Sequence, residues 1–419
     1  MNADTIKIAV RKFGPFETAL QKLWDDYREM SACVLKAEMV SMDLDDLHRA
    51  TLENNGLKNG EWDIAHIVTD WLLEAWEGGA LEDLQPYIAP NPPQDFPTGW
   101  SNSLLNMQKF DAAIAGLPFH DGPECLIYRK DLFEDSKEQQ AFYNTHSKHL
   151  QVPKTWDDFR TVARFFHRPK QKLYGTVIAG LPDGHNTVFD FCLQLWARGG
   201  NITNDNGGVD INTPSAAEGL AFYRDILRDK KATHPNTMQY ESVQAGMAFA
   251  RGEAALMVNW FGFASMCEVM DRCAVKGKVD IAPIPCTKDN EPTSLNVYWL
   301  YTIGSGSRHK QTAYDFIRFA VSRCSDKLLT LEGGIGCRIS TWRDDGINAI
   351  IPYYHKLEQL HQNARTLPQK KDWSQIARVI DEVVLRAINT DIAIDRLLLE
   401  GQQKINRIDI TQNNYADRV

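Results

Sequence analysis

The chain has 419 residues, 43% hydrophobic and 24% charged, with 27 Gly and 18 Pro. Those proportions exclude disorder, collagen and coiled coil, and at ~150 residues per domain the length corresponds to two or three domains with cores of their own. A net charge of −9 without a long basic run argues against a nucleic-acid partner, and no apolar stretch reaches the ~18–20 residues needed to span a bilayer.

The first residues lead straight into an alternating strand at 6–10, with no basic segment or apolar signal core before it. Two readings stay open: a cytoplasmic protein, or one whose leader was removed. Phe16, Leu20, Leu23, Trp24 and Tyr27 then recur at helical spacing. A second strand is expected at 33–40, a helix from Asp43 as N-cap to 54, a third strand at 63–68, and a helix from Trp71 to Trp76 ending at Gly78-Gly79. This alternation predicts a parallel sheet covered by helices, with ligands at the carboxyl ends of its strands: 11–16, 41–43 and 68–71. Phe16, Asp43, Thr69, Asp70 and Trp71 therefore become candidate site residues.

A proline-rich loop at 86–99 and an apolar segment at 112–119 precede the turn His120-Asp121-Gly122-Pro123, where the chain passes to a second α/β region. There Thr155 caps a helix through Phe166. A strand is expected at 174–179, helices at 188–198, 214–228 and 242–250, and strands at 255–259, 279–283 and 295–304. Two amphipathic helices, near 373–388 and 392–408, close the chain. Internal repeats are absent.

Most catalytic signatures fail. Gly304-Ser305-Gly306-Ser307 lacks the order of a nucleophile elbow, and no phosphate loop, dinucleotide fingerprint or HExxH motif occurs. Asn204-Asp205-Asn206-Gly207 lacks the later acid of a calcium loop and reads as a turn. No metal site and no cofactor are expected. Adjacent acids such as Asp45-Asp46 point apart on a helix, so they make no glycosidase pair. The eight cysteines show no zinc spacing and read as mostly buried thiols. The nearest pair, Cys267 and Cys273, would lie ~9 Å apart on one continuous helix, too far to bridge.

Aromatic residues give the positive signal. Trp24, Trp76 and Trp196 have core spacing, whereas Trp71, Trp260 and Trp299 stand at expected strand ends beside polar residues or glycine. Flat aromatic faces there suit the apolar C–H faces of sugar rings, and Asp43, Asp70, Asp121, Asn259 and Asn296 are placed to bond hydroxyls. Core packing is the competing reading for each. His185 and Asn186, in Asp183-Gly184-His185-Asn186, serve either as a helix cap or as a polar contact from the second region. The loop 333–338 brings one fixed cation, Arg338, among glycines. It serves either as a donor to ligand or as the partner of a protein carboxylate.

Segments spread along nearly the whole chain resemble the family 1 extracellular solute-binding proteins of ABC importers, relatives of maltose-binding protein. They include WDIAHIVTDWLLEAWEGGALEDLQPYI, GLPFHDGPECLIYRKDLFED, VPKTWDDF, FARGEAALMVNWFGF, VDIAPIPC and NARTLPQKKDWSQIARVIDEVVLRAI. The resemblance implies a two-lobe α/β fold with a ligand cleft between the lobes and several hinge crossings. It places lobe 1 at 1–120 plus 279–322 and lobe 2 at 121–278 plus 323–419. It also implies a periplasmic or extracellular, membrane-associated, monomeric protein without catalysis that captures a carbohydrate by hinge closure and delivers it to permease subunits. Asp70 and Trp71 fall where such proteins contact sugar, Trp260 near the usual stacking aromatic, and Trp373 at an aromatic position near the cleft. His120, Asp121, Asn296, Trp299 and Arg338 complete the expected set. A carbohydrate-processing enzyme, or a binder of a non-sugar solute, is the alternative.

Overall fold

The computed structural model describes the backbone of residues 5–416 and the side chains of residues 5–408. Its longer strands run in chain order as β1 (Thr5–Arg11), β2 (Lys36–Met42), β3 (Ile64–Val68), β4 (Leu117–His120), β5 (Glu124–Arg129), β6 (Tyr174–Val177), β7 (Ala254–Trp260), β8 (Val279–Ala282) and β9 (Trp299–Ile303). The chain divides into two compact units. Unit 1 comprises Met1–Gly122, Asn296–His361 and Gln369–Lys371, and unit 2 comprises Pro123–Leu295, Gln362–Pro368 and Asp372–Val419.

Unit 1 is built on a five-stranded sheet of order β2-β1-β3-β9-β4. β1, β2 and β3 are parallel, and β9 lies antiparallel between β3 and β4. β3 is buried along its whole length, as the central strand of a sheet covered on both faces must be. The helix Gly14–Ser31 starts with Pro15 in its first turn and buries Phe16, Ala19, Leu20, Leu23, Trp24 and Tyr27. Asp43 caps the next helix by accepting from the Asp46 N–H at 3.2 Å.

Unit 2 holds a four-stranded sheet of order β8-β5-β7-β6, with β6 and β7 parallel and the other pairs antiparallel. The helices Pro214–Arg228 and Ser242–Ala250 have the bounds their periodicity predicts. Thr155 caps Trp156–Phe166 through the Asp158 N–H at 3.1 Å. Gly175 in β6 lies so close to that helix that a Cβ would sit 1.8 Å from the Ala163 carbonyl oxygen. The Asn204 carboxamide accepts from the N–H groups of Asn206 and Gly208, which makes the expected turn.

Three expectations are corrected. Residues 279–295 belong to unit 2, because β8 pairs with β5. Residues 323–361 belong to unit 1: the helix Arg323–Leu331 packs on Gly14–Ser31, and the Lys22 ammonium meets Glu332 at 2.5 Å. Finally, no continuous helix carries both Cys267 and Cys273. Phe261–Val269 ends at Met270, whose backbone is extended.

Candidate functional site

In unit 1 the carboxyl ends of β1, β3 and β4 and the start of β9 gather aromatic rings. Trp299 pairs with Val68 on one side and His120 on the other. Its ring lies 6.1 Å from Trp71 and 6.5 Å from Phe16, and Phe16 lies 4.5 Å from His120. Phe16 and Trp71 are buried, whereas Trp299 is half-buried. Thr69 and Asp70 lie in the short turn after β3, both buried. Thr69 is committed to backbone: its hydroxyl accepts from Tyr298 N–H at 3.3 Å, and its own N–H donates to the Tyr298 carbonyl at 3.1 Å.

The His120 Nδ1 accepts from the Ile335 N–H at 2.9 Å, which fixes the tautomer. Burial pushes His120 down to about 3, and His66 beneath it likewise, so both rings are neutral at ordinary pH.

Next to His120 lies a polar network that the sequence reading identified only at its ends. Asp121 Oδ2 accepts from His361 Nε2 at 2.5 Å, His361 Nδ1 meets the Ser103 hydroxyl at 3.1 Å, and the His361 ring stacks on Trp342 at 4.9 Å. Asn296 donates through Nδ2 to the Ser103 carbonyl at 3.1 Å. Two buried acceptors are left over, Asp121 Oδ1 and Asn296 Oδ1, neither with a hydrogen-bond partner. A buried acceptor without a partner costs ~1–3 kcal/mol. Both oxygens are thus predisposed to accept from hydroxyl donors.

Arg338 is corrected. Its side chain is fully buried in unit 1, donates to Asp95 Oδ2 at 2.9 Å and to the Val321 carbonyl at 3.2 Å, and stacks 4.1 Å above Trp100. Its backbone N–H donates to Asp326. The guanidinium is therefore the partner of a protein carboxylate. Asp43, exposed, is occupied as a cap.

In unit 2, Phe189 lies 5.6 Å from both His185 and Trp260. Asp183 caps this turn, accepting from the backbone N–H groups of His185 and Asn186 at 2.9 Å and from Asn186 Nδ2 at 2.5 Å. Asn186 is accordingly held as part of the helix start. Asn259 is likewise committed, donating to the Ser242 carbonyl at 3.0 Å. Trp260, half-buried, stands opposite Glu124 across the β5–β7 ladder. Trp373 opens the helix Trp373–Asn389, fully buried, with its indole N–H lacking an acceptor.

Glu124 and Asp190 were missed. Burial, with the nearby Asp190 charge, raises Glu124 well above the carboxylate range, and burial lifts Asp190 to about 7 even though the Tyr223 hydroxyl donates to it at 2.7 Å. Glu124 Oε2 has no partner. Protonated, it offers an O–H donor beside the Trp260 position. The available signal was an acid opening an otherwise apolar strand, ECLIYR.

These features can be set beside known proteins. The family described as bacterial extracellular solute-binding protein matches residues 48–323. The chain belongs to that family. A binding protein of Brucella abortus is 23% identical over 248 residues, 59% of this chain, and the match spans only 55% of that relative's length. Among solved structures, maltose-bound MalE3 of T. maritima superposes with a TM-score of 0.84 at 21% identity, covering 96% of this chain and 99% of the other. A solute-binding protein of Agrobacterium radiobacter in complex with ribitol gives 0.85 at 21% identity, covering 97% and 99%. The chain thus shares the two-lobe fold of these proteins.

Proposed function

We propose that this chain is the substrate-binding subunit of an ABC importer and that its ligand is a neutral carbohydrate or polyol. The reading rests on one observation above all: Asp121 Oδ1 and Asn296 Oδ1 are buried acceptors without donors, in the same unit as the half-buried ring of Trp299, which Trp71 backs. A ring that takes the C–H face of a sugar and acceptors that take its hydroxyls are complementary in chemistry. The relatives bound to maltose and ribitol support the same class of ligand. Arg338, confined to the interior of unit 1 and paired with Asp95, is not available to an acidic sugar.

Within unit 2, the half-buried Trp260 and the adjacent Glu124 form a second aromatic and polar pair of the same chemistry. Capture proceeds by hinge closure, with the ligand-bound form presented to permease subunits outside the cytoplasmic membrane. The reading includes no catalysis, in keeping with the chain's membership of a solute-binding family. No described helix is long and apolar enough to cross a membrane.

The test is a thermal-shift screen over neutral mono- and oligosaccharides, polyols, sugar acids and amines, followed by calorimetry. A neutral sugar or polyol at ~100 times its dissociation constant adds ~2.7 kcal/mol to stability and raises the melting temperature by several degrees. A shift confined to amines or peptides would overturn the carbohydrate assignment, and turnover of a glycoside would overturn the non-catalytic one.

A further inference from the structure

Between the helices Ser136–His146 and Trp156–Phe166 the chain forms an arch that is held down at two points. Ser147 leaves the first helix in the left-handed region, with a φ of +53°. The Gln139 carboxamide donates to the Phe133 carbonyl at 2.6 Å and to the Leu150 carbonyl at 3.2 Å, which pins the middle of the arch. The Cys286 N–H donates to the Lys154 carbonyl at 3.1 Å and pins its far end. The arch and the two helices border a cavity of about 550 Å³, entirely within unit 2.

The walls of this cavity divide by chemistry. Phe142, Pro153 and Val162 are buried and give it an apolar floor, and the His146 ring lies 4.5 Å from that of Phe142. Lys148, His149 and Lys154 stand exposed around the floor. The run 146–154, HSKHLQVPK, contains no acid, in a chain whose net charge is −9. Among the described residues neither lysine ammonium has an ion pair or a hydrogen bond. The one acid in the lining, Asp158, is engaged at one oxygen: its Oδ2 accepts from the Thr155 hydroxyl at 2.8 Å.

We propose that this cavity is a second binding site, for a small organic anion in which an aromatic ring system carries a carboxylate or sulfonate. Its volume falls in the range of ~300–1,000 Å³ typical of small-molecule sites. The floor takes the apolar body, which gains by leaving water. The ammoniums of Lys148 and Lys154 take the acidic group, and the imidazoles of His146 and His149 each keep a ring N–H to donate, whether protonated or not. An inorganic anion would meet the charge and leave the floor uncovered. A neutral ring system would cover the floor and leave both ammoniums unpaired. The site shares no residue with the candidate carbohydrate site, so it stands or falls independently of that assignment.

The experiment titrates the full-length chain, isotope-labelled in its histidine rings, with naphthalene-2-sulfonate. Naphthalene-2-methanol serves as the neutral counterpart and inorganic sulfate as the anion without a body. Calorimetry gives the affinity and the histidine ring signals in the NMR spectrum give the location. The expected result is saturable one-to-one binding of the sulfonate that moves the signals of His146 and His149 together, with binding of the neutral counterpart and of sulfate weaker by about tenfold or more. The double variant Lys148→Gln with Lys154→Gln should bind the sulfonate about fivefold to tenfold more weakly. Added salt should weaken the wild type more than the variant. Both lysines are exposed, so the variant keeps its fold, which circular dichroism checks. The proposal is overturned by a wild type that shows no saturable binding, or that binds the sulfonate no more tightly than naphthalene-2-methanol or sulfate. Signals of His120 or His185 that move while those of His146 and His149 stay still, or a folded double variant that binds as tightly as the wild type, would overturn it equally.

Discussion

Asp121 Oδ2 lies 2.5 Å from His361 Nε2, while its other oxygen, Oδ1, is buried without a partner. One half of the carboxylate is therefore anchored, through His361 and Ser103, to residues far away in sequence, and the other half is held ready in a fixed direction. A group positioned this way loses little freedom when a ligand hydroxyl arrives.

Asp121→Asn should weaken carbohydrate binding by roughly 1–3 kcal/mol, because a neutral amide is a poorer acceptor and one of its faces becomes a donor. Calorimetry on the folded variant decides. An affinity equal to that of the wild type would assign Asp121 a purely structural role with His361.

The tryptophans divide by exposure. Trp260 and Trp299 are half-buried, so alanine at either should reduce affinity by ~1–3 kcal/mol with a native circular dichroism spectrum. Trp71 is fully packed, 5.0 Å from His48, and its replacement by alanine should cost ~3–5 kcal/mol of stability as well. Denaturant titration beside calorimetry separates the two effects. Unchanged affinity in both Trp260→Ala and Trp299→Ala would return these rings to core packing.

Arg338→Met should leave the preference between a neutral sugar and its uronic counterpart untouched while lowering stability by ~1–3 kcal/mol. The loss follows from the Val321 carbonyl, which loses its buried donor, and from the vacated face of Trp100, while Asp95 keeps its ion pair with Arg323. A change in ligand preference at unaltered melting temperature would contradict the interior position.

Asp190 and Asp326 give the pH dependence a definite sign. Burial raises them to about 7 and about 6, so between the unfolded carboxylate value of about 4 and those values the folded state binds more protons than the unfolded one. Their contribution to stability is fully present below about pH 4 and is lost as pH rises through about 6 to 7. His66, lowered to about 3, acts in the opposite direction, and its contribution is lost as pH falls below about 6.5. Asp190→Asn should therefore flatten the decline in melting temperature between about pH 5 and 8, leaving the acid limb in place. An identical pH profile in the variant would show that Asp190 titrates normally.

Local signals proved readable where the physics is local. Thr155 and Asp43 cap the helices that their side-chain chemistry predicts, and the 3.6-residue period of Pro214–Arg228 gives both of its ends. The helix Ser136–His146 escaped because its sequence, SKEQQAFYNTH, is polar nearly all round, with one fully buried residue, Phe142. At the candidate site, residue types pointed to the right strand ends but not to the partners. His361 meets Asp121 across 240 positions of sequence, and Glu124 becomes a proton donor only because folding surrounds it. Arg338 was misplaced for the same reason: its partner, Asp95, lies in a distant proline-rich loop.

The insertion of β9 between β3 and β4 has a consequence for synthesis. A nascent chain that has made β1 to β4 holds β3 and β4 with open edges, because the strand that joins them ends at Ile303. Until then the apolar run IAHIV of β3 and LPFH of β4 cannot complete their ladders. The amino-terminal unit must wait, partly formed, while nearly all of unit 2's sheet is made. A holdase that shields these edges would act on a partly formed unit until β9 arrives to close its sheet.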